Sequence, residues 1–316
     1  MSSWNCDHFR PIESIALCCP NTCSVFDKLS VVNTYVKSIR NGILSVALAL
    51  SMGAFFYLSQ GTAQTAPTGM KHILVIAETK GFEHDSIPDA MANIWRMGHD
   101  TKLWEATLRT DTELITKKVT KERNVKNLGY FDALVFSSTT GELDMDDSQK
   151  QDMMSFIKDD GKGFVGIHAA LDTNYKWPEY GEMIGGWFDE HPWFTFDAPI
   201  IVEDPSFPAV RHFPHAFVKR DEIYQPKAWS RDKVNVLLSL DAAKLDYNNP
   251  RVHRQDHDFA VAWSKMYGKG RVFYSTLGHT KEAWDDPDVQ KMYFEAIKWT
   301  LGMTEGNTAS HPRPKP

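Results

Sequence analysis

The sequence predicts an α/β protein with a mainly parallel, doubly wound central sheet and a β-rich insertion. Three observations lead to this fold class. Short apolar segments alternate with helical patterns from Met70 to Gly161, which is typical of parallel sheets. Extended segments separated by Pro- and Asn-rich turns then occupy residues 194–264, with no helical pattern between them. A further apolar strand and an amphipathic helix follow between residues 270 and 302.

The composition is that of an ordinary globular protein. The chain has 316 residues, of which 42% are hydrophobic and 24% charged, so its length suits one large domain or two small ones. The formal net charge of -6 and the absence of a Lys/Arg run argue against a nucleic-acid partner.

Residues 1–63 are predicted to be an N-terminal leader. The apolar run at 43–58 has 16 residues, which is short for a bilayer span of about 20. Gly61 and Ala63 then supply the small residues of a signal-peptidase site, so cleavage near Ala63 would give a periplasmic or secreted protein. The alternative is an uncleaved N-terminal membrane anchor.

The four cysteines all precede that apolar run, and they are Cys6, Cys18, Cys19 and Cys23. An exported domain would therefore contain no cysteine, so it would have no thiol nucleophile.

The alternating part of the chain contains four apolar segments of strand length, at residues 72–78, 101–108, 131–139 and 163–168. Two helices are predicted between them, at about residues 87–97 and within residues 145–161, ended by Gly98 and Gly161.

After the insertion at 194–264, residues 270–279 are predicted to form a further central strand. Residues 286–302 show the apolar spacing of an amphipathic helix. The Pro-rich tail, residues 303–316, is predicted to be disordered.

Three predicted strands end on histidines. His84 follows the first strand, next to Glu83; His168 comes directly after the fourth; and His279 follows the last. Ligands of parallel sheets bind beyond the carboxyl ends of the strands, so we expect these histidines to form one site. For any single histidine, a structural role is the alternative.

Imidazole can act as a general base, a nucleophile or a metal ligand. Three converging imidazoles favour a divalent metal, zinc or another transition metal, held by His84, His168 and His279. The candidate catalytic residues are His168, His279 and Asp172. Asp172, four residues after His168, could be a ligand, an orienting group or a helix N-terminal carboxylate. No G-x-G-x-x-G or Walker pattern occurs, which disfavours a nucleotide cofactor.

Eight aromatic rings lie between residues 175 and 196. Aromatic faces beside polar groups suit sugar rings, although many such rings are core residues. The residues predicted to bind substrate are Glu83, Trp177, Tyr180, His191 and Glu222. His191 can equally be a helix-capping residue before Pro192, and Glu222 a solvated or ion-paired charge.

Five segments together resemble the ThuA-like family, which is named for trehalose utilisation. They span Met70 to about Gly302, and they are KGFEH, GFVGIHAALDT, YGEMIGGWFDEHPW, RDEIYQ and GRVFYSTLGHTKEAW. This family is similar to class I glutamine amidotransferase domains, so the resemblance implies a flavodoxin-like three-layer sandwich over residues 70–302.

One departure from the amidotransferases bears on the reaction. Their cysteine position is occupied here by His168, and His279 resembles the counterpart of their catalytic histidine. Without a thiolate, glutamine hydrolysis is not available, so the fold is expected to carry over but the reaction is not.

The resemblance implies a role in carbohydrate catabolism, on 3-keto-glycosides made by a partner sugar-oxidising dehydrogenase. A keto group acidifies the neighbouring C–H, so a base and a metal can drive isomerisation, elimination or hydrolysis. A non-catalytic sugar-binding module beside an oxidoreductase, a metal-dependent hydrolase of another substrate class and an envelope scaffold are the alternatives. The sugar, the metal and the oligomeric state stay open.

Overall fold

The computed structural model describes residues 69–119 and 126–313. The predicted leader, residues 1–63, with its apolar run and the four cysteines, lies outside the described residues, so export stays a prediction. Within the described part, no helix is both long and apolar enough to cross a membrane.

The described residues form eleven strands and five helices. The strands are β1 (Lys71–Ile76), β2 (Trp104–Arg109), β3 (Ala133–Ser137), β4 (Gly163–Ile167), β5 (Trp187–Glu190), β6 (Thr195–Val202), β7 (Ala216–Glu222), β8 (Gln225–Lys227), β9 (Asn235–Leu240), β10 (Ala260–Tyr267) and β11 (Gly270–Ser275). The helices are α1 (Ile87–Thr101), α2 (Asp147–Lys158), α3 (Pro178–Ile184), α4 (Lys281–Asp285) and α5 (Pro287–Thr300).

Nine of these strands form one mixed sheet in the order β2-β1-β3-β4-β11-β10-β9-β6-β7. The first five are parallel to one another, and each later pair is antiparallel. The α/β class is therefore confirmed. The sheet is less parallel than expected, because β6, β7, β9 and β10 from residues 194–264 extend the same sheet as antiparallel strands. β5 and β8 form a separate two-stranded ladder.

The parallel half of the sheet is buried on both faces. Ile73 and Val75 of β1 belong to a core cluster shared with α1 and α5. Leu74 and Ile76, the alternate residues of the same strand, pack into a second cluster with α2 and α3. This period-2 alternation explains why the strands are continuous apolar runs.

Helix α1 extends beyond its predicted end at Gly98. It continues to Thr101 and stops at Lys102, which has a left-handed backbone with φ 57°. Gly98 is needed for packing, because a Cβ there would lie 2.3 Å from Cδ1 of Trp104. The second strand consequently begins at Trp104 and not at residue 101.

The disorder of residues 303–316 stays a prediction, although two backbone carbonyls of the described part, up to residue 313, pair with the sheet. The sheet supplies donors for this segment: Arg271 Nη1 donates to the Thr304 carbonyl at 2.7 Å, and Asn235 Nδ2 to the Asn307 carbonyl at 2.8 Å. These long-range hydrogen bonds satisfy two backbone carbonyls of the Pro-rich segment.

Candidate functional site

His168 stands at the carboxyl end of β4, between β3 and β11. Its side chain is fully buried, and its backbone adopts the left-handed region with φ 47°. Tyr274 Oη donates to the His168 carbonyl at 2.8 Å, which helps to hold this turn. A positive φ at a non-glycine residue is uncommon and persists only where the surrounding structure imposes it.

The His168 ring has a defined tautomer. Its Nδ1 lies 2.7 Å from the carbonyl oxygen of Thr276. Because a carbonyl only accepts, Nδ1 carries the proton and donates it. The lone pair of Nε2 then faces the rest of the site, as in histidines that bind metal ions through one nitrogen while a carbonyl holds the other.

Three ligand atoms form a compact triangle around that lone pair. His168 Nε2 lies 3.1 Å from His279 Nδ1 and 3.6 Å from Glu222 Oε2, and His279 Nδ1 lies 3.3 Å from the same oxygen. His84 completes the group, since one ligand atom from each of the four residues lies within 4.8 Å of the others. The structure thus brings together all three strand-end histidines and adds Glu222, which was predicted only to bind substrate.

The dimensions of the triangle formed by His168, His279 and Glu222 fit a metal ion. A tetrahedral ion with bonds of about 2.1 Å separates its ligand atoms by about 3.4 Å, which the triangle edges of 3.1, 3.3 and 3.6 Å bracket. His84 Nδ1 is buried and has no hydrogen-bond partner among the described residues. Three imidazoles and one carboxylate are a donor set that suits zinc and related transition metals.

Burial keeps the imidazoles in the neutral form that a metal requires. Desolvation, followed by repulsion from His279, lowers the pKa of His84 to about 4. The same burial, with repulsion from His84 and His279, holds the pKa of His168 well below its usual value, and desolvation lowers the pKa of His279. The Glu222 carboxyl has its pKa raised by desolvation. A bound cation would offset that cost by favouring the carboxylate.

Asp221 positions this group although the sequence patterns did not single it out. Its buried carboxyl accepts hydrogen bonds from the backbone N–H groups of Gly278 at 2.7 Å, His279 at 3.1 Å and Glu222 at 2.9 Å. It therefore ties the end of β7 to the loop after β11. Only the tertiary approach of these two chain segments reveals the role.

Asp172 does not orient His168. Its carboxyl accepts from Tyr175 Oη at 2.5 Å, and its pKa is raised by burial. The chain forms a single 3-10 turn over His168–Leu171, and Asp172 follows that turn. The Thr276 carbonyl, and not the Asp172 carboxyl, pairs with the His168 ring.

Two predicted sugar-stacking rings are core residues. Tyr180 is fully buried and its Oη donates to the Ala170 carbonyl at 2.6 Å, while Trp177 is 7% exposed and packs against it. Both residues lie at the start of α3 and belong to the core cluster that this helix forms with the sheet. A substrate arriving from solvent therefore does not reach them. Apolar composition alone did not separate core rings from binding rings.

Glu83 and His191 border the group. Glu83 is exposed and lines a cavity of about 360 Å³ together with His84 and His279. His191 is half-buried, with Nδ1 3.8 Å from Glu222 Oε1 and 3.6 Å from Glu190 Oε1. Their predicted contact with substrate stays a prediction.

The depressed histidine pKa makes the metal-free protein acid-sensitive. The pKa of His84 falls from its usual 6.5 to about 4 in the fold. Its neutral state therefore contributes stability above pH 6.5, and this contribution is lost as the pH falls toward 4, because the unfolded chain binds the proton first. We expect the wild-type protein to lose at most about 3 kcal/mol relative to His84→Asn over this window.

Chemical unfolding of both metal-free proteins between pH 4 and pH 7.5 measures this difference. The comparison with the variant cancels groups with the opposite sign, such as Asp221, whose pKa burial raises to about 7. Parallel pH curves for the two proteins would show that His84 is not held neutral by the fold.

Comparisons with known proteins found one matching family model and solved structures with a similar fold. The model of the family described as "ThuA: Trehalose utilisation" matches residues 72–300. A solved ThuA-like protein from Bacteroides uniformis is similar with a TM-score of 0.60 at 21% identity, over 76% of this chain and 95% of that one. Another, from Parabacteroides merdae, has a TM-score of 0.57 at 15% identity, over 78% and 94%. At these identities the structural likeness concerns the fold. No curated protein matches the sequence.

Proposed function

This chain belongs to the ThuA family, described as trehalose utilisation, and from that premise we propose that it is a carbohydrate-active, metal-assisted enzyme that converts 3-keto-glycosides. One observation carries the catalytic part of the proposal. It is the buried group of His84, His168, Glu222 and His279 at the carboxyl ends of the parallel strands. The family description supports the carbohydrate part.

The fold proposed for this role is the flavodoxin-like three-layer sandwich. In chain order, the five parallel strands are arranged as second, first, third, fourth and fifth. That order is the flavodoxin-type one, in which ligands bind beyond the carboxyl ends of the strands. The antiparallel strands from residues 194–264 are then an insertion that brings Glu222 to this edge.

The metal would be held by the four residues of the group. When bound there, it would supply a Lewis acid for the oxygen of a keto sugar. The chain's own part is to present neutral imidazoles: the Thr276 carbonyl keeps the proton of His168 on Nδ1, and Asp221 holds the backbone that carries His279.

His191 is the proposed general base. It is the histidine at this edge that touches Glu222 without belonging to the triangle, and 26% of its side chain is exposed. In a 3-keto-glycoside, it would take the acidic C2 proton, and the electrons of that C–H bond would form an enolate. Glu222 beside Nδ1 would stabilise the resulting imidazolium.

The enolate would then expel the substituent on C1, and His191 would return its proton to the departing glycosidic oxygen. The C1–O bond breaks and a C1–C2 double bond remains, so no oxidant or reductant is consumed. Addition of water to that product gives net hydrolysis. The keto group must come from a sugar-oxidising dehydrogenase, which is the partner that we propose.

The test uses a 3-keto-disaccharide with purified protein, stripped of metal by a chelator and then reloaded with zinc, manganese, cobalt or nickel. We expect the metal-loaded protein, and not the stripped protein, to cleave the 3-keto-disaccharide and release the sugar that was attached to C1. The unoxidised disaccharide should not be cleaved. A panel of chromogenic esters and glycosides separates this reaction from a metal-dependent hydrolase of another substrate class. Absence of turnover under every metal condition would refute the catalytic proposal and favour a sugar-binding module.

A further inference from the structure

Two exposed phenylalanines border the polar site. Phe82 is 65% exposed and Phe194 is 50% exposed. Single exposed apolar residues are common on protein surfaces. These two, however, each contact a different histidine of the region just described.

Phe82 stands at the mouth of the cavity of about 360 Å³ that His84 and His279 also line. Its ring meets the His84 ring edge to face, with centroids 4.9 Å apart. The backbone at this point is held, because Thr140 Oγ1 donates to the Phe82 carbonyl at 2.9 Å. An apolar face is thus presented to solvent directly beside a candidate metal ligand.

Phe194 is held in place by its neighbours. Its backbone has φ 51°, and its N–H donates to the His191 carbonyl at 3.0 Å. The ring centroids of Phe194 and His191 are 5.0 Å apart. The Arg251 guanidinium lies 4.9 Å from the Phe194 centroid and is itself fixed by Glu190, 3.1 Å from both carboxylate oxygens. A left-handed phenylalanine is strained, so this support keeps its ring at the rim.

We propose that Phe82 and Phe194 are stacking platforms for the two sugar rings of one substrate. The C–H faces of a sugar ring are apolar, so covering an exposed phenylalanine buries apolar surface on both partners. One platform adjoins His84, and the other adjoins His191, which touches Glu222. The inference rests on the proposed carbohydrate function and narrows the substrate class to glycosides with two sugar rings.

Calorimetric titration with unoxidised sugars tests the platforms without requiring turnover. The two-ring probes are trehalose, maltose, cellobiose and sucrose, and the one-ring probe is methyl α-glucoside. We expect wild-type protein to bind at least one two-ring probe about 10-fold more tightly than the one-ring probe, and Phe82→Ala and Phe194→Ala each to weaken that binding about 10-fold. Only one of the two variants should weaken methyl α-glucoside.

Trp95→Ala is the matched control, because Trp95 is an exposed aromatic residue on α1 that stacks on His99 and borders no site residue described above. It should bind every probe as the wild type does. Thermal unfolding verifies that all three variants fold.

The outcomes separate the two proposals. Binding of the two-ring probe that is unchanged in Phe82→Ala or in Phe194→Ala overturns the platforms, as does the failure of wild-type protein to bind any of the four disaccharides. If the platforms behave as expected but no 3-keto-disaccharide is turned over, the catalytic proposal alone fails. If turnover occurs and both variants retain the wild-type KM, the platforms alone fail.

Discussion

Replacing His168 by asparagine is expected to abolish binding of the proposed metal while leaving the protein folded. The substitution removes the Nε2 atom, which lies 3.1 Å from His279 Nδ1 and whose lone pair would bind the metal. Loss of a mere hydrogen-bond partner of a ligand already costs about 10–100-fold in metal affinity, so loss of the ligand itself should cost more than about 100-fold. The metal content measured by elemental analysis should fall from about one ion per chain to almost none. Turnover should disappear with the metal.

Asparagine is chosen because of the backbone at this position. It tolerates φ 47° better than alanine does, and its side-chain amide can donate to the Thr276 carbonyl that otherwise pairs with His168 Nδ1. His99→Ala is the matched control, since His99 is an exposed residue in α1. A His168→Asn protein that melts like the wild type and retains one ion per chain would contradict the proposed ligand role.

The second large effect is expected for Glu222→Gln. The amide keeps the shape of the side chain but removes the negative charge that lies 3.3 Å from His279 Nδ1 and 3.8 Å from His191 Nδ1. On the proposed mechanism, the site would lose its anionic ligand and the group that stabilises protonated His191. We therefore expect kcat to fall by about 10²–10⁴ when metal is supplied in excess.

The fold should survive this change, because burial already raises the pKa of Glu222 and a neutral amide avoids that desolvation cost. KM for the disaccharide should change far less than kcat, since the sugar rings are proposed to stack on Phe82 and Phe194. Glu179→Gln, an exposed residue of α3, is the control. A Glu222→Gln enzyme with wild-type kcat would show that neither its charge nor its ligand oxygen takes part in the reaction.

The strand-end rule accounts for the part of the site that could be predicted. His84, His168 and His279 each follow an apolar strand segment, and parallel strands deliver their carboxyl ends to one edge of a sheet. The α/β class follows from the same local signals, because helical and strand periodicities are properties of neighbouring residues. Family membership also follows from contiguous segments, and the match over residues 72–300 confirms it.

The partners of those histidines could not be predicted from local patterns. Thr276 contributes a backbone carbonyl, which every residue possesses, so no residue type marks it. Asp221 and Glu222 arrive on a strand paired at the far edge of the sheet, more than 50 residues from His168 and His279. Which of two adjacent carboxylates holds the loop and which faces the imidazoles depends on the path of β7.

For the aromatic residues, too, the sequence predicted one property and tertiary packing decided another. The sequence by itself determined that rings are concentrated between residues 175 and 196, but not which rings face solvent. Tertiary packing placed Trp177 and Tyr180 in the core and left Phe82 and Phe194 exposed beside histidines. Periodicity, and the succession of strands and helices along the chain, depend on neighbouring residues. Burial, tautomer and the distance between ligand atoms arise only when segments far apart in sequence pack against one another.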